Sequence, residues 1–170
     1  ESTRQMIFGS SIEISNPTRV GYTFTGWTVN GGTLEGTRFT MSEAKNSTLT
    51  ANWRVNNYKY IVYHHKMNTN GSGYTLVSAD TNEGEAAYGS TVKPGVKTYT
   101  GFTSPALKNL TISAETTYPP VKNKIDYNYT RKQFTLTINA NGGTYSGETT
   151  QSMYYGSTKT LSVPVKTGYN

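Results

Sequence analysis

The chain has no cysteine, so disulfides, which hold many small exported domains together, contribute nothing to its stability. Charge is scarce as well, with 16 Lys and Arg against 10 Asp and Glu in 170 residues. The positive excess is scattered, and Arg131-Lys132 is the one adjacent basic pair. Nucleic-acid binders gather their charge into a stripe or patch, so the sequence gives no support for that partner. Weak attraction to anionic polymers or glycans still follows from the net charge of +6. No apolar run approaches the length needed to span a bilayer, which argues against membrane insertion. Histidine occurs only at His64 and His65. Neighbours on a strand point to opposite faces, so these two are poorly placed to share a metal ion, and no cysteine or nearby carboxylate completes a site.

What is abundant is Thr, Ser, Asn, Gly and tyrosine, of which there are 14. Aromatic and β-branched residues side by side favour strands with one wet face. The expected fold class is therefore mainly β, built as small modules rather than around one large core.

The strongest internal signal is a repeat, to be sought before anything else. At an offset of 147 residues, the distance from Thr3 to Thr150, Met6 meets Met153, Phe8 meets Tyr155, and Gly9-Ser10 meets Gly156-Ser157. Further along, Pro17 meets Pro164, Arg19 meets Lys166, and Gly21-Tyr22 meets Gly168-Tyr169. Identity falls on the Gly, Pro and aromatic positions that punctuate and pack a β fold. The period far exceeds that of solenoids. The expected organisation is residues 1–54 as the later part of one module, 55–131 as a different module, and 132–170 as the first part of the next copy. The chain reads as a slice from a longer string.

Alternation of apolar and polar residues predicts strands over 21–29, 37–41 and 48–53 in the first stretch. Asn30-Gly31-Gly32 is expected as a hairpin-type turn, and residues 42–45 as one helical turn. In the middle, strands are expected at 58–63, 74–77 and 124–129. A turn is expected at 68–73, a loop at 80–84, the start of a further element at 88–92, a turn at Pro94-Gly95, and irregular chain at Tyr118-Pro119-Pro120. The last stretch opens on 133–140, with Phe134, Leu136, Ile138 and Ala140 on one side, and turns at Asn141-Gly142-Gly143.

Joining 132–169 to 23–53 gives a continuous pattern. It runs Phe134-Thr-Leu-Thr-Ile-Asn-Ala-Asn-Gly-Gly143, then Tyr154-Tyr-Gly-Ser157, then Gly21-Tyr-Thr-Phe-Thr-Gly-Trp27, and ends Thr48-Leu-Thr-Ala-Asn-Trp53. This resembles the Listeria–Bacteroides repeat, or internalin B-repeat, of bacterial surface proteins. The family usually carries an aromatic at the place of Thr28 and often Tyr at that of Thr50. The middle stretch resembles the mucin-binding-protein (MucBP) type of module in adhesins of Gram-positive bacteria, through Tyr58-Lys-Tyr-Ile-Val-Tyr63, Gly73-Tyr-Thr-Leu-Val77, Tyr99-Thr-Gly-Phe102 and Tyr127-Asn-Tyr-Thr-Arg131. The resemblances imply β-grasp-like modules in tandem, in which first and last strands run parallel. They also imply an elongated, extracellular stalk or adhesin at the cell surface or wall.

No residue pattern calls for catalysis, a cofactor or a metal. The loop residues Asp80, Glu83 and Glu85 lack the spacing of a calcium loop. Asn141-Gly-Gly-Thr144 lacks the Gly-Lys-Ser/Thr ending of a phosphate loop. No Ser or Thr is marked as an activated nucleophile. Lys59 and Asp126, on the expected first and last strands of the middle module, are the candidate pair for an intramolecular isopeptide bond of the kind found in Gram-positive stalks. Tyr22, Tyr60 and Tyr155 are expected to pack with their hydroxyls near the surface. The expected partners are neighbouring repeats and, through complementary half-modules, other copies of the chain head to tail. The rival reading is a module that grips a host glycan or protein.

Overall fold

A computed structural model describes residues 3–169. Strands dominate, as the composition predicts. The first stretch carries β1 (Ser11–Glu13), β2 (Tyr22–Asn30), β3 (Thr33–Glu35), β4 (Arg38–Thr40) and β5 (Thr48–Val55). The middle holds β6 (Asn57–Met67), β7 (Tyr74–Leu76), a 3-10 turn at Ser78–Asp80, β8 (Asn82–Ala87), β9 (Thr91–Val92), β10 (Phe102–Thr103), β11 (Leu110–Thr111) and β12 (Lys124–Arg131). The last stretch has β13 (Gln133–Thr137) and β14 (Thr150–Tyr154).

Among the described residues, strand pairing crosses an expected boundary at one residue, Val55, which ends β5 and pairs with Tyr22. β1-β4-β3 and β2-β5 form two antiparallel sheets, and β13 pairs β14. In the middle, β6 is central. It pairs β8 and β7 antiparallel along one side and β12 in parallel along the other, while β12 in turn pairs β10. The parallel first and last strands are the feature expected from the resemblance.

The main core lies beside this parallel pair. Val62, Ile125, Tyr127 and Tyr129 are buried together, with Tyr60, Val96, Tyr99, Phe102 and Leu110 packed on them. Alternation on β12 sends Ile125, Tyr127 and Tyr129 inward. Full burial of such side chains stabilises by roughly 1.5–3 kcal/mol each. Outside the middle stretch, Phe39 is the one buried large apolar residue among the described residues. The exposed area of 11764 Å² compares with about 8,300 Å² for a compact monomer of this mass. The excess is what small sheets joined in series produce.

A bulge decides the face of β2. The register against β5 shifts between Phe24 and Gly26, where Gly26 has φ +136°. An uninterrupted strand would place Phe24 and Trp27 on opposite faces. The extra residue brings them to one side, with ring centroids 5.3 Å apart, and Trp53 joins Phe24 at 5.7 Å.

Several expectations need correction. Residues 42–45 bend without forming a helix: a lone turn does not repay helix nucleation, and Lys45 pairs with Glu43 two residues back. Asn30-Gly31-Gly32 turns the chain but makes no hairpin, because β2 pairs β5 whereas β3 pairs β4. The expected loop at 80–84 is half strand, since Asn82, Glu83 and Gly84 pair with β6. Pro94-Gly95 runs without a turn. β13 stops at Thr137, three residues before the alternation does.

Candidate functional site

Two small turns recur in all three stretches. The first contains Phe8-Gly9-Ser10, Tyr88-Gly89-Ser90 and Tyr155-Gly156-Ser157. In each, the serine N–H donates to the carbonyl three residues back, Ile7, Ala87 and Tyr154, at 3.0, 3.0 and 2.9 Å. The serine hydroxyl donates to the same carbonyl at 2.6, 2.6 and 2.8 Å. The second turn closes with Tyr22, Phe102 and Tyr169 donating N–H to Arg19, Tyr99 and Lys166 carbonyls, each at 3.1 Å. A cation sits over the aromatic ring in the flanking copies, Arg19 at 3.8 Å from Tyr22 and Lys166 at 4.7 Å from Tyr169.

These turns meet where one stretch passes into the next. Asn56 lies between β5 and β6. Its N–H donates to the Gly21 carbonyl at 2.9 Å, and its own carbonyl accepts from Tyr88 N–H at 2.9 Å. Lys132 lies between β12 and β13 and does the same. Its N–H donates to the Gly101 carbonyl at 2.9 Å, and its carbonyl accepts from Tyr155 N–H at 2.9 Å. Each linker residue is thus clamped between the second turn of the preceding stretch and the first turn of the following one.

Over each clamp lies a tyrosine ring. A Cβ placed on Gly21 would fall 2.1 Å from Tyr88 Cδ1, and one on Gly101 would fall 2.1 Å from Tyr155 Cδ1. Both glycines have φ +78°, a conformation that side chains resist. The rings meet their neighbours edge-on. Tyr88 lies 6.0 Å from Tyr22 and 6.4 Å from Tyr58, and Tyr155 lies 6.4 Å from Phe102 and 6.5 Å from Phe134. In the first joint Thr23 Oγ1 also donates to Asn56 Oδ1 at 2.6 Å. In the second, Arg131 donates from Nε to the Met67 carbonyl and from Nη1 to the Tyr155 carbonyl, both at 2.6 Å. Its guanidinium lies 4.7 Å from the centre of the Phe102 ring, and Tyr154 packs on Gly71. A shallow groove of about 490 Å³ borders the first joint at Arg54–Tyr58, and one of about 690 Å³ borders the second between Lys66 and Arg131.

The remaining candidates have structural partners. His64 is fully buried, with Nδ1 2.8 Å from the Tyr129 hydroxyl and its ring between Tyr127 and Tyr129. Burial, then the nearby Lys97 charge, push its pKa below the ordinary 6.5. His65 points the other way, to Asp126 at 3.0 Å. Asp80 accepts the Tyr99 hydroxyl at 2.6 Å and faces Lys97, and these hold its carboxyl below the usual range. Burial, then the Asp80 bond, push Tyr99 up. Glu83 accepts from the Tyr118 hydroxyl, and Glu85 stands opposite Lys59 across β8 and β6. Asp80, Glu83 and Glu85 therefore serve separate contacts. Among the described residues no three His, Asp or Glu cluster as metal ligands. Lys59 and Asp126 are not brought together: Asp126 stands opposite Tyr63, four residues along from Lys59, a separation of about 13 Å along the strand. Tyr22, Tyr60 and Tyr155 are partly buried or at joints. Tyr118 and Tyr169 are the most exposed tyrosines.

Sequence reasoning found the flanking turns through the 147-residue offset but missed their middle copy. A constant signal was present: the glycines of the two turns are always twelve residues apart, as Gly9 and Gly21, Gly89 and Gly101, Gly156 and Gly168. The single-offset comparison passes over it because Gly89 stands 80 residues after Gly9 and 67 before Gly156, so the middle copy never falls at an offset of 147.

No helix among the described residues is long and apolar enough to cross a membrane. Comparison with curated proteins and with solved structures returned no match. Residues 2–57, a third of the chain, match the profile of the divergent InlB B-repeat domain, a family associated with bacterial surface proteins.

Proposed function

We propose that this chain is a non-catalytic stalk segment of an extracellular bacterial surface protein, in which modules bounded near residues 55 and 131 are held in line by a recurring joint. The observation that carries this reading is the joint itself. The same linker clamp and the same tyrosine-on-glycine contact appear at Asn56 and at Lys132. A chain joined by flexible linkers has no use for such contacts. One that must hold successive modules at a fixed angle does. The family match at residues 2–57 supports a surface repeat protein, and the parallel β6-β12 pair supports entry and exit at opposite ends of the middle module. The composition suits a Gram-positive wall protein. Small-angle X-ray scattering is expected to give a rod-like pair-distance distribution; a compact, single-peaked one overturns the proposal.

Ligand recognition by the middle, MucBP-like module is the second reading, favoured by the exposed rings of Tyr74 and Tyr118, which offer stacking faces for a host glycan. A glycan array probed with the whole chain tests it; binding lost on Tyr118→Ala supports it.

A further inference from the structure

We propose that the middle stretch is a tension-bearing unit, whose parallel β6-β12 ladder is loaded in shear when the chain is pulled through its two joints. The inference rests on the stalk reading for one premise, that force arrives at Asn56 and leaves at Lys132. The rest follows from the direction of two strands. β6 starts one residue after the first linker residue, and β12 ends one residue before the second. The two run parallel, so tension enters at one end of the pair and leaves at the other. Pulling draws β6 one way and β12 the opposite way, along the strands and across their hydrogen bonds.

Such a load is shared. The ladder keeps six residue pairs in unbroken register, from Lys124 opposite Ile61 to Tyr129 opposite Lys66. Bonds between parallel strands are evenly spaced, so shear stretches them together and none opens ahead of its neighbours. An antiparallel hairpin pulled at its open end gives way one pair at a time. Two further bonds close the ladder at its ends. Ile61 N–H donates to the Asn123 carbonyl at 3.0 Å, and Arg131 Nε donates to the Met67 carbonyl at 2.6 Å.

The core opposes sliding as well. A slip of one residue carries every side chain of a strand to the other face. On β12 that would bring out Ile125, Tyr127 and Tyr129, all buried, and turn Asp126 and Asn128 inward. Hydroxyl bonds pin the two tyrosines further. Tyr127 accepts from Lys108 N–H at 3.1 Å and donates to the Pro94 carbonyl at 2.7 Å. Tyr129 accepts from Lys97 N–H at 2.7 Å, and its hydroxyl lies 2.8 Å from His64 Nδ1 on β6. Sliding β12 therefore breaks the ladder, the core and the anchorage of residues 94–108 together.

The protein has no native cysteine, so pairs of introduced cysteines in the whole chain fix where an optical trap pulls. Asn57→Cys with Lys132→Cys pulls along the ladder. Asn57→Cys with Lys122→Cys pulls on neighbouring strand ends, because Lys124 stands opposite Ile61, and peels the ladder instead. All three positions are exposed. Along the ladder, rupture should be a single event that lengthens the tether by no more than about 270 Å, the reach of the 75 residue steps from Asn57 to Lys132. Peeling should need a lower force. Arg131→Ala should lower the force along the ladder and leave the peeling force, which is set at the far end, unchanged. Equal forces in the two directions overturn the proposal, as does an Arg131→Ala chain weakened alike in both. Either result leaves the stalk reading standing, whereas a compact scattering profile removes that reading and leaves the direction dependence intact.

Discussion

The Tyr88 ring occupies the space in which any side chain on Gly21 would have to sit, with Cδ1 2.1 Å from where a Cβ would lie. Tyr155 stands in the same relation to Gly101. Alanine at either glycine therefore meets two penalties, a left-handed backbone that costs about 1–3 kcal/mol and a ring that must leave. Gly89 separates the two, because it has φ +77° yet nothing within 4 Å of a Cβ. Gly101→Ala should loosen the second joint and speed tryptic cleavage after Arg131 and Lys132. Gly89→Ala should lower stability without speeding that cleavage. Equal cleavage rates in the two variants would show that ring contact does not hold the joint.

His64 makes the middle stretch sensitive to mild acid. Its folded pKa lies below the ordinary 6.5 because burial, with Lys97 nearby, disfavours the charged ring. The groups around it are Tyr127, Tyr129 and Asn82, with Asp80 and His65 further out. Above 6.5 both folded and unfolded forms are neutral, so nothing is lost. Below it the unfolded chain takes up a proton that the folded chain refuses. Stability should then fall by up to about 1.4 kcal/mol per pH unit until the lowered folded pKa is reached. Thermal unfolding between pH 7 and pH 5 checks this, and His64→Gln should flatten the slope.

Glu115 does for a loop what strands do elsewhere. Its carboxylate accepts N–H groups from Val121, Lys122 and Asn123 at 2.9, 2.9 and 3.0 Å, and these bonds, that of Asn123 first, hold its pKa below 4.5. The bonds are at full strength above the ordinary value and fade as pH falls through the lowered one. Glu115→Gln keeps the shape but offers one oxygen in place of two and no charge. Hydrogen exchange at Val121, Lys122 and Asn123 should accelerate in that variant at neutral pH, with the β6-β12 pairing unchanged.

The sequence carries the long, alternating strands openly. Residues 22–30, 48–55 and 124–131 are strands because apolar and polar residues alternate over enough length to fix a face. Alternation misleads at Gly26, where one inserted residue reverses the faces and only pairing with β5 reveals it. It misleads again after Thr137, where the alternation runs on to Ala140 but the strand has already ended. The joints were half legible. Their glycines and aromatics stand out as a repeated pattern, but that Tyr88 covers Gly21, 67 positions earlier, is a fact of folding between stretches that no local period encodes.

The two joints should differ in stiffness, and Arg131 is the reason. Its guanidinium ties Met67 at the end of β6 to the Tyr155 carbonyl across the second joint. Val55 holds the equivalent place in the first joint and is 40% exposed, an apolar side chain with no such bond to make. Hydrogen bonds from a charged donor are worth about 1.5–3 kcal/mol, enough to narrow the angular range of the second joint. Pairs of spin labels on introduced cysteines should give a narrower distance distribution across Lys132 than across Asn56. Arg131→Ala should broaden the second to match the first and leave the first unchanged. If the two distributions are equally wide in the unmodified protein, the bridge does not govern stiffness, and the clamp that both joints share sets it alone.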